Sequence, residues 1–159
     1  MAVLRFVPDL FGGITLVEGA GGLRGLNFGA MQGVFDTTPL LMEAERQLRE
    51  YAEGLRFRFE FEHEIVGTGF QLDVWRALGA IPYGETRSYR DIALAVNRPK
   101  GFQAIGQANT RNPLPIVIPC HRVINADGSM GGYGGGLDRK RELLALEQQY
   151  AYRFRETAA

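Results

Sequence analysis

Apolar and polar positions along this chain change period several times, and each change predicts a different element. Two short β-leaning stretches, Leu4 to Val7 and Gly13 to Val17, lead through a glycine-rich turn at residues 19–22 into Leu23 to Phe28, the pattern of a small meander. From Thr38 the period lengthens. Leu41, Ala44, Leu48 and Tyr51 recur at helical spacing, with Glu43, Arg46, Glu50 and Glu53 on other faces, so an amphipathic helix is expected to run to about Gly54. Residues 56–62 then alternate charge with phenylalanine. That is the period of a half-buried strand, and its partner is expected to be the meander.

Beyond Gly67-Thr68-Gly69 the chain turns to short helices and loops, which divides it into domains 1–66 and 67–159. Phe70, Val74, Trp75 and Leu78 line one face of a helix that stops before Pro82. Ser88 is an N-cap candidate for a short helix carrying Tyr89, Ile92, Ala93 and Val96, which Asn97-Arg98-Pro99 breaks. A further helix from about Lys100 to Asn109 is expected to turn Phe102, Ile105 and Ala108 inward. Together the two make a helix-turn-helix over about 88–110. The outer face of the second helix, Gln103, Ala104, Gly106 and Gln107, is small and polar, which suits either close helix packing or close approach of a ligand. Ile116-Val117-Ile118 reads as a buried strand or a strand-like entry into Pro119-Cys120-His121-Arg122. A glycine-rich loop at 128–136, interrupted by Tyr133, precedes a last helix from Asp138 to about Gln149. The fold class is therefore mixed α/β (α+β), a meander-and-helix domain followed by a mainly helical one.

Composition narrows the picture. With 45% apolar residues in 159, the chain can bury a substantial core. It has no apolar run long enough to span a membrane, and Arg5 and Asp9 interrupt the region where a signal peptide would be apolar, so the expected location is intracellular, in a prokaryote-like cytoplasm. One cysteine cannot form an internal disulfide, and with His63 and His121 it falls short of a four-ligand zinc site, so neither metal nor other cofactor is expected. Eighteen basic and eighteen acidic residues give a net charge of zero, which by itself speaks against binding nucleic acid through bulk electrostatics. The charge is segregated, however. Between Thr86 and Arg122 six basic residues face Asp91 alone, leaving +5 there and −5 elsewhere. Such a block is either a solvated face or a nucleic-acid contact.

Cys120 is the candidate nucleophile. A lone intracellular cysteine is commonly a buried, inert hydrophobe, but Pro119 before it and His121 and Arg122 after it give it a setting that could stabilise a thiolate. Neighbouring side chains on an extended strand point apart, so any help from His121 requires a turn or helical geometry at Cys120. A working histidine also needs an orienting partner, and Glu147 near the end of the last helix is a candidate, the alternative being a solvated surface charge.

The run Ile118-Pro119-Cys120-His121-Arg122-Val123, with Asn112-Pro113 before it and Gly132-Tyr133 and residues 143–147 after it, closely resembles the active-site region of O6-alkylguanine-DNA alkyltransferases. The likeness extends from about Phe70 to Glu147 and includes Val74-Trp75, residues 81–84 and Ser88-Tyr89. The resemblance implies direct repair of double-stranded DNA by a monomer: a base carrying an alkyl group on guanine O6 is flipped from the minor-groove side, and the group passes irreversibly to Cys120. It further implies that His121 acts as base through a water, that Glu147 orients His121, and that Asn112 bridges the turn holding the active-site segment. Tyr89, Gln103, Ala104, Gly106, Arg111 and Arg122 would contact DNA. Tyr133, Gly131, Gly134, Pro115 and Val123 would wall the base pocket. Family members commonly place an arginine where Gln103 stands; the Gln103 amide could still stack or hydrogen-bond the orphaned base, and Arg111 or Lys100 could supply the missing charge, though neither occupies the matched position. Rival readings are a lesion-binding protein that flags alkylated guanine without repairing it, and a helix-turn-helix regulator with a structural cysteine.

Overall fold

The structure, a computed structural model, describes residues 2–155. The chain divides into two compact units, the division falling between Ile65 and Val66. The mixed α+β class expected from the pattern is what the structure contains. No helix among the described residues is long and apolar enough to cross a membrane.

In the first unit, β1 (Val3–Val7), β2 (Ile14–Gly19) and β3 (Gly22–Phe28) form an antiparallel sheet in the order β1-β2-β3, with a register shift between Val17 and Glu18. Helix α1 (Pro39–Ala52) starts where Thr38 caps it: the Thr38 hydroxyl accepts from the Leu41 amide at 3.1 Å, and proline takes the first turn, where its missing N–H costs nothing. The core joins Ile14, Leu16, Leu23 and Leu26 of the sheet to Leu41, Leu48 and Tyr51 of α1, all fully buried or nearly so. At roughly 1.5–3 kcal/mol for each large apolar side chain buried, this seam carries the unit.

The expected strand over 56–62 does not form. The segment is irregular, and its only sheet-like tie is at its end, where Leu23 and His63 form an isolated parallel bridge, the Leu23 amide donating to Glu62 and the Glu64 amide to Leu23. Gln47 of α1, a buried amide, takes the place of a neighbouring strand: its Oε1 accepts from the Glu60 amide at 2.8 Å and its Nε2 donates to the Glu60 carbonyl at 3.1 Å. Phe59 packs on Tyr51 with ring centroids 5.5 Å apart. Alternation was therefore a true sign of one half-buried face, that of Phe57, Phe59 and Phe61, but the hydrogen bonds go to a side chain.

In the second unit, α2 (Gly69–Gly79) is closed at its start by a capping box of Thr68 and Gln71. Val74, Trp75 and Leu78 are buried, and the Trp75 indole donates to the Ala108 carbonyl at 2.9 Å. A two-residue strand β4 (Arg87–Ser88) leads into α3 (Tyr89–Ala95), whose own capping box is Ser88 with Asp91. After a turn in which Asn97 takes φ +59 and the Arg98 amide donates to the Ala93 carbonyl at 2.7 Å, α4 (Phe102–Thr110) completes the helix-turn-helix. Its buried face is Ile105, Ala108 and Asn109, while Phe102, expected in the core, is 47% exposed. With Gly101 at the cap and no side-chain cap hydrogen bond, the helix starts at Phe102 itself, ahead of the turn that contacts the core. The unit ends with β5 (Val123–Ile124) and α5 (Leu137–Tyr150). β5 pairs in parallel with β4, Arg87 opposite Val123 and Ser88 opposite Ile124, so the start of α3 is fixed to the residues that follow Arg122.

Replacing Gln47 by leucine leaves the Glu60 amide and carbonyl without these partners. The expected cost is about 1–3 kcal/mol, read as a lower urea midpoint together with faster proteolytic cleavage between residues 55 and 62.

Candidate active site

The active-site segment is built by Asn112. Its Oδ1 accepts from the Leu114 amide at 3.0 Å and its Nδ2 donates to the Ile118 carbonyl at 2.8 Å, while the Ile118 amide reaches the Leu114 carbonyl at 2.8 Å. The segment 114–118 is thus folded over a buried amide and is not a strand. Its apolar run reflects burial, and Ile116 at φ +75 is incompatible with extended backbone. Holding a β-branched residue there costs about 1–3 kcal/mol, which the surrounding packing must exceed.

Cys120, His121 and Arg122 form one turn of 3-10 helix, capped by Pro119, with the Arg122 amide donating to the Pro119 carbonyl at 3.0 Å. All three side chains are buried. This is the turn geometry that a histidine following a cysteine requires. Burial pushes the Cys120 thiol up to about 11, although hydrogen bonds from Asn112 and Tyr133 and the charge of Lys140 favour the thiolate. At rest, Cys120 is a neutral thiol.

Behind it lies a closed polar array. His121 Nε2 is 2.7 Å from Glu147 Oε2, and Glu147 accepts both Nε and Nη2 of Arg122, at 2.8 and 2.9 Å. The third Arg122 nitrogen donates to the Ile81 carbonyl at 2.7 Å, and the Gly84 amide donates to Glu147 Oε1 at 3.2 Å. Burial pushes the Glu147 carboxyl upward, but His121 and Arg122 outweigh it and hold it well below the usual carboxylate range. Burial lowers His121 against the pull of Glu147, so the imidazole is neutral beside an ionised carboxylate. With Nε2–H donating to Glu147, Nδ1 presents a lone pair, and among the described residues no group hydrogen-bonds to it.

Glu147 is therefore the interior partner of His121 and not a solvated charge. Arg122, expected to contact DNA, is corrected: it is 6% exposed and its guanidinium is engaged by Glu147, Ile81 and the face of Tyr83 at 5.7 Å. Tyr89 lies against the loop at Gly131, where a Cβ would stand 3.1 Å from the Tyr89 ring and where φ is +69, so only glycine fits without strain. Tyr89, Arg90, Phe102, Gln103, Gly106, Asn125, Ala126 and Gly132 line one open groove of about 490 Å³. Gln103, Ala104 and Arg111 are exposed. A Cβ at Gly106 would meet nothing within 4 Å, so close packing does not explain the small residues of α4. Val123 is buried directly after the turn, Pro115 forms an isolated bridge with Ile118, and a Cβ at Gly134 would stand 3.5 Å from the Thr110 carbonyl.

Two participants escaped the sequence reading. Lys140 is fully buried, and its Nζ donates to the carbonyls of Val123 at 2.6 Å, Met130 and Gly132 at 3.1 Å, which clamps the glycine-rich loop to β5. Burial lowers it to about 8, against the attraction of Cys120. Its signal was the stripe Lys140, Leu143, Glu147, the buried face of α5. Asn109, at the end of the buried face of α4, donates from Nδ2 to the Cys120 carbonyl at 3.4 Å.

A helix-turn-helix fixed by strand pairing to a turn that carries a buried cysteine and a histidine–carboxylate–guanidinium array defines a DNA-binding class of protein with an interior thiol. The family model described as the DNA-binding domain of 6-O-methylguanine DNA methyltransferase matches residues 69–149, and the chain belongs to that family. It is 51% identical over 106 residues to the methylated-DNA–protein-cysteine methyltransferase of Methanosarcina barkeri, an alignment covering 67% of each chain. Against that of Mycolicibacterium paratuberculosis it is 53% identical over 108 residues, 68% of this chain and 66% of the relative. The crystal structure of Mycobacterium tuberculosis OGT in complex with DNA superposes with a TM-score of 0.83 at 40% identity, covering 94% of this chain and 93% of that one.

Glu147→Gln is expected to cost about 3–5 kcal/mol by leaving Arg122 buried without its counter-charge, whereas Glu147→Leu combined with Arg122→Met costs less than either single change. Urea denaturation of the wild type, Glu147→Gln, the two single changes of the pair and the double variant reads this. The array also makes the fold acid-sensitive. Glu147 contributes stability above the ordinary value of 4.5 that is lost as pH falls toward its depressed folded value. His121, held neutral, adds a penalty below its ordinary 6.5. The urea midpoint of the wild type is therefore expected to fall continuously below pH 6.5, and less steeply in the double variant.

Proposed function

We propose that the chain repairs DNA directly, taking the alkyl group from O6 of guanine onto Sγ of Cys120. The observation that carries the reading is the buried Cys120 beside a neutral His121 whose Nε2 is committed to Glu147, in a unit that presents a helix-turn-helix. The names of the relatives, methylated-DNA–protein-cysteine methyltransferase, support it.

In the proposed step His121 Nδ1, through one water, takes the proton of the Cys120 thiol. The thiolate attacks the alkyl carbon in line, a C–S bond forms, the C–O6 bond breaks, and its electron pair stays on the guanine. The proton passes to the departing base, so normal guanine is restored. With the thiol at about 11, ionisation at neutral pH costs roughly 5 kcal/mol, which general-base help and the enclosed site must offset. The thioether has no good leaving group, so each monomer acts once and is consumed. It needs no cofactor and no metal, and works where DNA lies, in the cytoplasm of a prokaryote-like cell.

Cys120 is 4% exposed, so a stacked guanine cannot reach it and the lesion must be flipped out of the duplex. The small outward residues Ala104 and Gly106 suit insertion of α4 into the minor groove, with Gln103 and Arg111 toward the strands, and Tyr89 pressing on the target phosphate. Tyr133 and the loop from Gly131 to Gly134, with Pro115 and Val123, wall the pocket for the extruded base.

Intact mass after incubation with a duplex carrying one O6-methylguanine is expected to rise by one methyl group in the wild type and not in Cys120→Ser. Binding of that duplex without any mass gain overturns transfer in favour of a lesion-flagging protein. The rate should hold as pH falls through 6.5 and drop only further into acid, because burial keeps His121 neutral, and able to offer its lone pair as base, below the ordinary histidine value.

A further inference from the structure

We propose that Asn109 reads the 2-amino group of the extruded guanine through its side-chain oxygen. The inference rests on the repair reading above and assigns a specificity-determining residue within the same site.

Asn109 ends the buried face of α4 and is 4% exposed. Its Nδ2 donates to the Cys120 carbonyl at 3.4 Å, and that bond fixes which way the amide lies, because a carbonyl oxygen can meet only the nitrogen. The oxygen, Oδ1, is left buried, and among the described residues no group hydrogen-bonds to it. Such an acceptor is costly to keep, since it has given up water and received no donor in return. His121 Nδ1 is orphaned in the same way and has its use as the base; Asn109 Oδ1 has none within the protein.

The same amide reaches Tyr89. Burial and the charge at Cys120 push the Tyr89 hydroxyl up, and a hydrogen bond with Asn109 works against them. Tyr89 in turn lines the open groove and lies against the glycine-rich loop at Gly131. Asn109 therefore joins the backbone of the reacting cysteine to the tyrosine beside the proposed base pocket.

What satisfies Oδ1 must bring a donor. Guanine alkylated at O6 has lost the hydrogen on N1, so N1, N3 and N7 are all acceptors and the 2-amino group carries the only N–H bonds of the base. An orphaned amide oxygen is complementary to that group and to no other on the ring. The nearby loop carbonyls are already engaged, those of Val123, Met130 and Gly132 accepting from Lys140 Nζ. Thymine alkylated at O4 has likewise lost its ring N–H and has no amine, so the assignment places guanine ahead of thymine among the lesions this site accepts.

The test compares single-turnover rates of methyl transfer from duplexes carrying O6-methylguanine or O6-methylhypoxanthine, which differ only in the 2-amino group. The wild type is expected to prefer the guanine lesion roughly tenfold or more, and Asn109→Leu, close to asparagine in shape, to lose roughly tenfold of that preference. A purely structural role through the Cys120 carbonyl slows both lesions alike and leaves the ratio unchanged. Asn109→Ala, which a helix accepts readily, removes the same oxygen and is expected to repeat the loss. An unchanged ratio in these variants, or a wild-type ratio near one, overturns the inference. If the wild type takes no methyl group from either duplex the repair reading fails, and the affinities of wild type and Asn109→Leu for the same two duplexes then decide. A guanine preference lost in the variant upholds the assignment, and equal wild-type affinities remove it.

Discussion

The second unit depends on removing a carboxylate and a guanidinium from water together. Desolvating either alone costs several kcal/mol, and the attraction between them repays this only where geometry and further hydrogen bonds are close to ideal. Here Arg122 gives Glu147 two parallel bonds at 2.8 and 2.9 Å, and the remaining guanidinium nitrogen finds the Ile81 carbonyl. Glu147 also accepts from the Gly84 amide and from His121. One ion pair thereby binds α5, the loop at 81–84 and the turn at 120–122 to each other. The tautomer of His121 is a by-product of this scaffold: its Nε2–H is fixed because Glu147 must be satisfied. A group positioned for structural reasons is then available for proton transfer at its other nitrogen.

Cys120 is controlled by the same burial. A thiol driven up to about 11 is almost wholly protonated at neutral pH, and the neutral form is a poor nucleophile toward oxidants and stray electrophiles. For a side chain that is consumed by its own reaction, this protection matters more than speed. On the proposed mechanism the groups that favour the thiolate, Asn112, Tyr133 and Lys140, are in place beforehand and remain outweighed by desolvation until a base takes the proton. Lys140 has a second duty, because its ammonium gathers the carbonyls of Val123, Met130 and Gly132 and so holds the residue after the turn against the glycine-rich loop.

Much of this was legible in the sequence where a local rule decided the outcome. β-leaning stretches around a glycine-rich turn marked β1 to β3, helical period marked α1 and α2, and Ser88 as a cap placed the start of α3. The failures share a cause, in that long-range partners replaced local ones. Residues 56–62 alternate like a strand, yet Gln47 supplies the hydrogen bonds a neighbouring strand would have supplied. Ile116-Val117-Ile118 is apolar because it is buried, and Asn112 bends it out of any ladder. Phe102 has the spacing of a core residue but stands one turn ahead of the contact. Arg122, which the resemblance set against DNA, is engaged instead by a carboxylate twenty-five residues away that only the fold brings beside it. The resemblance supplied Glu147 as the partner of His121, which spacing alone left open.

The pairing of β4 with β5 has a consequence for how DNA binding and chemistry are joined. Ser88 caps α3 and lies opposite Ile124, so the leading helix of the helix-turn-helix and the active-site turn are parts of one rigid connection. On the far side, Cys120 is bound through its backbone by Ile118 and Asn109, and its neighbours are locked to α5. Moving the thiol outward to meet a stacked base would break the strand pairing, the Asn112 turn and the buried ion pair together, a cost of many kcal/mol by the usual scale of such groups. Extruding one weakly paired base costs only ~a few kcal/mol. The smaller of these costs falls on the DNA, so if the reaction proceeds through Cys120 it is the base that travels.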